Sequence, residues 1–406
     1  MNENSNSASV YLDAAATAPA LKEAVEAFVS AASLVGNPSS VHAEGLKAAA
    51  LLSECRRTVL SSLGVGAPTA PASFPGLVFT SGGTESDSLA LRGTAKAKAR
   101  NAGGRIIISK GEHPAIRETC RALADEGFEI VEIPTAGGVL DLEYLKTALT
   151  APASGSYTGR PLLLSLMTVN NETGAVYDVK AAFSLAKKLC PEIVTHTDAT
   201  QAFGKLAVSP SLLGAELITV SAHKIGGIKG CGALYIDPAL IRAKKLAAVT
   251  VGGGQESGIR SGTENLPGIA AFAAACRTFG AAPGGAAKKG AEAEEKRRYL
   301  LDRLPNEVTA NLPLGKAAPH ILSLRLPGIK SETMLRYLSS KGYCVSSGSA
   351  CSAHSRNISY ALRAFGLDDR AADSTIRVSP ADNVGTEELD GFLAALGEGV
   401  RTLVRS

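Results

Sequence analysis

A lysine at the end of an apolar run is costly to bury unless its amine is used. Lys224 sits at such a place, closing Ser221-Ala222-His223-Lys224 after Leu217–Val220. Desolvation lowers an amine's pKa and makes it nucleophilic. A second apolar run, Ile193–Thr197, leads into Asp198-Ala199-Thr200-Gln201. A carboxylate there can cap the helix that follows, but the stronger reading is that it faces a cation supplied by a cofactor. A third run, Gly76–Thr80, opens into Ser81-Gly82-Gly83-Thr84-Glu85-Ser86. Glycines, hydroxyls and a helix start make a phosphate cradle, or else a plain turn with Thr84 as N-cap. A fourth, Arg105–Ser109, ends in Lys110-Gly111-Glu112-His113-Pro114, where His113 is either a cap or a group aimed at the same edge. An acid for a pyridinium nitrogen, an amine to condense with an aldehyde and hydroxyls for a phosphate are together what pyridoxal 5'-phosphate requires. The set is far more specific than its members.

The elements that would hold these residues alternate. Runs of strand length and β-branched content fall at Gly76–Thr80, Arg105–Ser109, Glu129–Ile133, Leu162–Met167, Ile193–Thr197, Leu217–Val220 and Gly232–Ile236. Amphipathic stretches, among them Glu85–Ala99, His113–Glu126 and Val179–Leu189, lie between them. The pattern predicts an α/β fold with a mostly parallel sheet covered on both faces, whose ligands gather beyond the strands' carboxyl ends. After Asn265 the texture changes. Ala281–Gly290 reads as a loop or helix break and Ala291–Leu304 as a charged helix stopped by Pro305. Strand-like His320–Leu326, Tyr343–Ser346 and Thr375–Val378 then alternate with helical Ser331–Ser340, Ser359–Phe365 and Thr386–Leu403, as in a smaller α+β domain.

Composition narrows the partners. Over 406 residues, 42 Lys+Arg against 38 Asp+Glu leave +4, no basis for nucleic acid or an anionic membrane as the main partner. No apolar run approaches a membrane span, and Met1–Ser9 lacks signal-peptide character, so the expected compartment is the cytoplasm. Seven cysteines without CxxC or metal-ligand spacing read as reduced thiols, with no zinc site.

Nearly the whole chain resembles the cysteine desulfurases of the NifS/IscS type, within the class V aminotransferase group of fold type I pyridoxal-phosphate enzymes. The resemblance is carried by Tyr11-Leu12-Asp13, Gly36-Asn37-Pro38-Ser39-Ser40-Val41-His42, residues 80–87, 112–114, 169–174, 198–201 and 221–224. It continues through Gly252-Gly253-Gly254-Gln255-Glu256, Arg260-Ser261-Gly262-Thr263-Glu264-Asn265, Ser346-Ser347-Gly348-Ser349-Ala350-Cys351 and Ile376-Arg377. It implies a large cofactor domain over residues 15–265 and a small domain over 266–406 joined by residues 1–14. Lys224 would hold the cofactor and carry a proton, Asp198 would keep the ring nitrogen protonated, and His113 would stack on the ring. Asn171 and Gln201 would bond the ring hydroxyl oxygen. Gly83, Thr84, Ser221 and His223 would cradle the phosphate, with Thr263 supplied by the second subunit of a homodimer. Asn37 and Arg377 would grip the substrate carboxylate, the arginine as a two-pronged fork. Cys351, in a segment rich in Ser and Gly, would attack the sulfur of L-cysteine as a thiolate and keep it as a persulfide for an acceptor protein, an iron–sulfur scaffold or a tRNA-thiolation relay.

Ser379-Pro380-Ala381-Asp382-Asn383 departs from the Ser-Leu-Gly-Arg/Lys-like run of relatives, which bears on the acceptor rather than the chemistry. Rival readings are a selenocysteine lyase or other class V lyase or aminotransferase, and an inactive relative kept as an interaction partner. Every position that the chemistry names is filled by a competent residue, which weighs against the last.

Overall fold

The computed structural model describes residues 9–66, 74–279, 284–312, 315–326, 328–348 and 358–403. Its strands are, in chain order, β1 (Val10–Tyr11), β2 (Leu77–Thr80), β3 (Arg105–Ser109), β4 (Glu129–Ile133), β5 (Pro161–Ser165), β6 (Val194–Asp198), β7 (Leu217–Ser221), β8 (Gly232–Ile236), β9 (Thr309–Ala310), β10 (Leu322–Arg325), β11 (Tyr343–Cys344) and β12 (Thr375–Val378). Seven form the main sheet in the order β2-β8-β7-β6-β5-β3-β4. All run parallel except β8, which is antiparallel to both β2 and β7. The exception has a length cause. Only residues 222–231 join β7 to β8, short of the dozen or more that a parallel crossover needs.

The central strands are buried on both faces, and their apolar side chains divide between two cores. Leu77, Phe79, Ile107, Leu164, Ile218 and Val220 enter one core, while Val78, Ile106, Ile108, Leu163, Leu217 and Leu234 enter the other. Neighbours in sequence therefore point to opposite sides, as the pleat demands. Helices Gly83–Ala95, Pro114–Asp125 and Val179–Leu189 lie where amphipathic stretches were read.

Two helices differ from the sequence reading. Ala291–Leu304 was expected after a loop at 281–290, but the helix spans Gly284–Leu301, because alanine, lysine and glutamate outweigh the cost of its glycines. Leu266–Arg277 is also helical, and it packs on helices Lys22–Ala32 and Ala43–Ser62. Its Ile269, Phe272 and Cys276 join a core of the main sheet.

The remainder is built on an antiparallel β12-β10-β9 sheet and a parallel β1-β11 pair. Leu12 is buried there with Leu322, Leu324, Met334, Ile376, Val378, Phe392 and Leu396. The start of the chain thus packs with its last third. Ala14 N–H donates to Ser379 O and Leu12 N–H to Cys344 O, which carries residues 15 and 16 over the carboxyl ends of the main sheet.

Candidate active site

A cavity of about 200 Å³ opens at those strand ends, and Lys224, Asp198, His113, Asn171, Gln201 and Arg377 all line it. Lys224 follows β7 in a single short turn. Its Nζ donates to the carbonyls of Ala15 and Ala16, each at 2.8 Å. Half-buried Lys205 donates to Lys224 O at 2.7 Å, and desolvation pushes the Lys205 amine down to about 7.

Asp198 closes β6, one strand over. It accepts the Thr200 N–H at 2.9 Å, but the stretch after it forms turns rather than a helix, so of the two readings the structure keeps the one that faces the cavity. His113 caps helix Pro114–Asp125, with Nδ1 accepting the Ala115 N–H at 3.1 Å. Burial holds its pKa below the ordinary value; Asp198 opposes that and Lys224 adds to it. A neutral ring with Nδ1 so engaged carries its proton on Nε2. Gln201 donates to Ala15 O at 2.9 Å, and its oxygen lies 3.3 Å from His320 Nε2.

At the other end of the cavity, Gly83 and Thr84 begin a helix. Ser221 Oγ and Thr200 Oγ1 are buried there without a hydrogen-bond partner, a costly state for a hydroxyl. A Cβ on Gly83 would lie 3.3 Å from Thr200 Oγ1 and 3.8 Å from Ser221 Cβ, so the missing side chain leaves the hollow between them. His223 borders it, with Nδ1 3.0 Å from Thr17 Oγ1, and burial with Lys224, Lys229 and Lys205 nearby pushes its pKa down to about 4. Orphaned hydroxyls, a glycine and helix-start amides suit an anion such as a phosphate.

Arg377 is 2% exposed and divides its fork. Nη2 pairs with Asp13 Oδ1 at 2.6 Å, Nη1 donates to Asn171 O at 2.8 Å, and Nε is buried with no partner. Asn37 is not brought to it. That side chain is exposed and accepts the Ser39 N–H, outside the cavity. Thr263 is likewise exposed and outside the cavity of its own chain, in a loop tied to helix Gly83–Ala95 by Arg260 and Glu85 at 2.7 Å. Cys351 lies outside the described residues.

Sequence reasoning missed some of the lining. Asp87 stands four residues after Gly83, one helical turn on and on the same face, a spacing that could have revealed it. Its carboxyl is driven well above the ordinary range by burial, with Asp198 adding to the effect. Glu112, next to His113 but not itself in the cavity wall, is pushed up to about 8 by burial and accepts from the Ser109 hydroxyl and Met167 N–H. Ala15 and Ala16 carry no side-chain signal at all. The Glu256 of the Gly252–Glu256 motif is structural: it pairs with Arg56 and accepts the Phe79 N–H, pinning the loop to β2.

A mostly parallel sheet with a lysine and an acid at adjacent strand ends, closed by a smaller α+β unit, defines the fold type I group of α/β enzymes. Comparison with known proteins agrees. The family model described as Aminotransferase class-V matches residues 10–392, and the chain belongs to that family. It is 37% identical over 395 residues to the cysteine desulfurase IscS of Escherichia coli O139:H28 (strain E24377A / ETEC), covering 94% of this chain and 90% of that one. Among solved structures, a NifS-like protein superposes with a TM-score of 0.83 at 31% identity, covering 97% of this chain and 100% of that one. The NifS-like protein from Rickettsia africae ESF-5 gives 0.81 at 27% identity, with 96% and 99% covered.

Proposed function

We propose that this chain is a pyridoxal-phosphate cysteine desulfurase, converting L-cysteine to L-alanine and leaving the sulfur as a persulfide on Cys351. One observation carries the cofactor reading: Lys224, Asp198 and the unpartnered hydroxyls of Ser221 and Thr200 surround a single cavity. The substrate reading rests on the relatives, since desulfurase is what the 37%-identical proteins are named.

When bound, the cofactor supplies an electron sink for the substrate's Cα. The chain's residues do the rest. Asp198 would hold the ring nitrogen as its counter-charge, and His113 would cover the ring. Gly83, Thr84, Ser221 and His223 would hold the phosphate. Lys224 would hold the cofactor through its amine and carry the Cα proton of the substrate. Its two backbone acceptors, Ala15 O and Ala16 O, keep the amine in the pocket meanwhile. Arg377 offers its buried Nε, with the Asp13 pair fixing the plane of the guanidinium. The Cys351 thiolate then bonds to substrate sulfur as the carbon–sulfur bond breaks. Its electron pair returns to Cβ, which gains a proton, so cysteine plus thiol becomes alanine plus persulfide. Cys55 and Cys120 are poor rivals: burial pushes Cys55 up to about 11 and Cys120 up to about 12.

Asn37 and Thr263 act in this reading from the other subunit of a homodimer. Exposed Val35, Val41 and Val251, at 88%, 90% and 80%, lie in the same two segments and fit a covered face. We draw the line between the two domains after residue 279, since helix Leu266–Arg277 packs with the main sheet. No helix among the described residues is long and apolar enough to cross a membrane. We keep a cytoplasmic setting and an acceptor protein, an iron–sulfur scaffold or a tRNA-thiolation relay.

Alanine and sulfide formation from L-cysteine with a reductant, wild type beside Cys351→Ala, tests the reading, with the visible spectrum recorded. A yellow wild type that makes both, and a yellow variant that makes little of either, is the expected outcome. Undiminished turnover in Cys351→Ala refutes the persulfide step. A yellow wild type inert toward cysteine turns the assignment to another class V lyase.

A further inference from the structure

Glu172 directly follows Asn171, in the turn between β5 and helix Val179–Leu189, and is buried. Its carboxylate is not what shapes that turn. The Asn170 side-chain oxygen does so, accepting from Glu172 N at 3.0 Å, Thr173 N at 2.8 Å and Thr173 Oγ1 at 3.1 Å. The Glu172 carboxylate reaches instead to the two stretches of chain that flank Cys351. On the far side, the Ser359 hydroxyl donates to Glu172 Oε2. On the near side, Gly348 approaches so closely that a Cβ on it would be 2.9 Å from the same Oε2. One buried carboxylate oxygen thus meets both ends of the segment that carries the thiol, one residue away from the wall of the cofactor cavity.

Two other attachments tie these flanks to the site. Ser346 and Arg377 exchange backbone hydrogen bonds, at 3.1 and 2.6 Å. Tyr360 donates its hydroxyl to Glu112 O at 3.0 Å, next to His113, and lies under the Arg117 guanidinium, 3.3 Å from the ring centre. Cys351 is three residues beyond Gly348, and that length of chain spans at most roughly 11 Å. Where Gly348 is held therefore bounds where Cys351 can lie.

We propose that Glu172 is a positioning residue for sulfur transfer: its carboxylate fixes Gly348 and Ser359 so that the Cys351 thiolate meets the substrate sulfur. The inference rests on the reading of Cys351 as the sulfur-accepting thiol. A misplacement of about 1 Å can cost a reacting pair about a hundredfold in rate, whereas binding of cysteine at Lys224 does not use this contact.

The test compares wild type, Glu172→Gln, Glu172→Ala and Ser359→Ala as holoenzymes in single-turnover reactions with L-cysteine. The spectral change of the cofactor on mixing reports the steps before thiolate attack. Alanine formed and persulfide on the Cys351 peptide, counted by mass spectrometry, report the attack itself. The expected result is an early phase within about twofold of wild type and an attack at least about tenfold slower in Glu172→Ala. Glu172→Gln and Ser359→Ala should shift in the same direction by less. Alanine formed at the wild-type rate in Glu172→Ala overturns the proposal. So does equal slowing of both phases, which would make Glu172 a support of the whole pocket. If Glu172→Ala does not fold, an unslowed Ser359→Ala overturns it. A wild type that forms alanine without Cys351 persulfide removes the underlying reading instead, so the two failures are separable.

Discussion

At the scale of single residues, the site works by burying groups in the protonation state they need. Glu112 shows this most clearly, with its pKa raised by burial from the ordinary 4.5 to about 8. Between those values the unfolded chain has released the proton and the folded one has kept it. The folded state is therefore favoured fully below pH 4.5 and progressively less as pH rises to 8. His196, pushed by burial from 6.5 down to about 3, acts in the opposite sense, costing stability as pH falls through that window. Comparison with Glu112→Gln isolates the first effect, because the amide keeps an oxygen for the Ser109 hydroxyl and Met167 N–H. The denaturation midpoint of wild-type apoenzyme should fall relative to Glu112→Gln as pH is raised from 5 to 8. Parallel curves would show that the carboxyl is not held neutral. Residues of this kind were only half legible in the sequence. Lys224 and Asp198 announced themselves by standing at the ends of apolar runs, whereas Asp87 falls inside the amphipathic stretch Glu85–Ala99 with no such run ending at it. The lysine's own acceptors are main-chain atoms of alanines, which no side-chain pattern can show.

At the scale of elements, the proposed function makes the strand-to-helix turn after β2 the holder of a phosphate, with Gly83 as its hollow. The backbone there is not left-handed, so alanine can be accommodated by the chain while its methyl enters the space facing Thr200 and Ser221. Gly83→Ala should fold normally and bind pyridoxal phosphate about tenfold more weakly, the loss of roughly one good hydrogen bond to a charged group. Titration of apoenzyme with cofactor, followed by absorbance, measures this; unchanged affinity would place the phosphate elsewhere. Element existence was readable because the strands are short runs rich in apolar or β-branched residues. Ser331–Ser340, Thr375–Val378 and Thr386–Leu403 were read with the bounds they have. Pairing was less readable. The antiparallel β8 has the same composition as its parallel neighbours, and only the short 222–231 connection betrays its direction. The β1 and β9 strands, two residues each, are too short to leave any pattern.

At the scale of the whole molecule, the single chain leaves Asn37 and Thr263 outside its own cavity and leaves large valines in water beside them. Charge placed in that face should keep a dimer apart without touching the fold. Val41→Asp, at a site 90% exposed, should sediment as a 41.5 kDa monomer where wild type should show twice that mass. Its cofactor affinity should drop as Thr263 is withdrawn. A dimeric Val41→Asp with full affinity would locate the interface on another face. The sequence could flag Asn37 and Thr263 only through the resemblance, because a residue that serves a neighbouring copy bears no local sign of the site it serves.

The pairing of β1 with β11 also sets a timetable on the ribosome. Val10 and Tyr11 emerge early, yet their partners Tyr343 and Cys344 follow roughly 330 positions later, some 15 to 65 s at ordinary rates of synthesis. Once β8 has been made, for roughly the last third of that interval, the main sheet has every strand it needs. The carbonyls of Ala15 and Ala16, however, hang on a segment with nothing yet to fasten it, and Lys224 has no clamp. The reactive amine comes under control only once translation has passed Ser379, whose carbonyl and hydroxyl hold Ala14 and Ala15 in place. A truncated chain would carry the sheet and the lysine but not the pocket, so catalytic competence is the last property this polypeptide acquires.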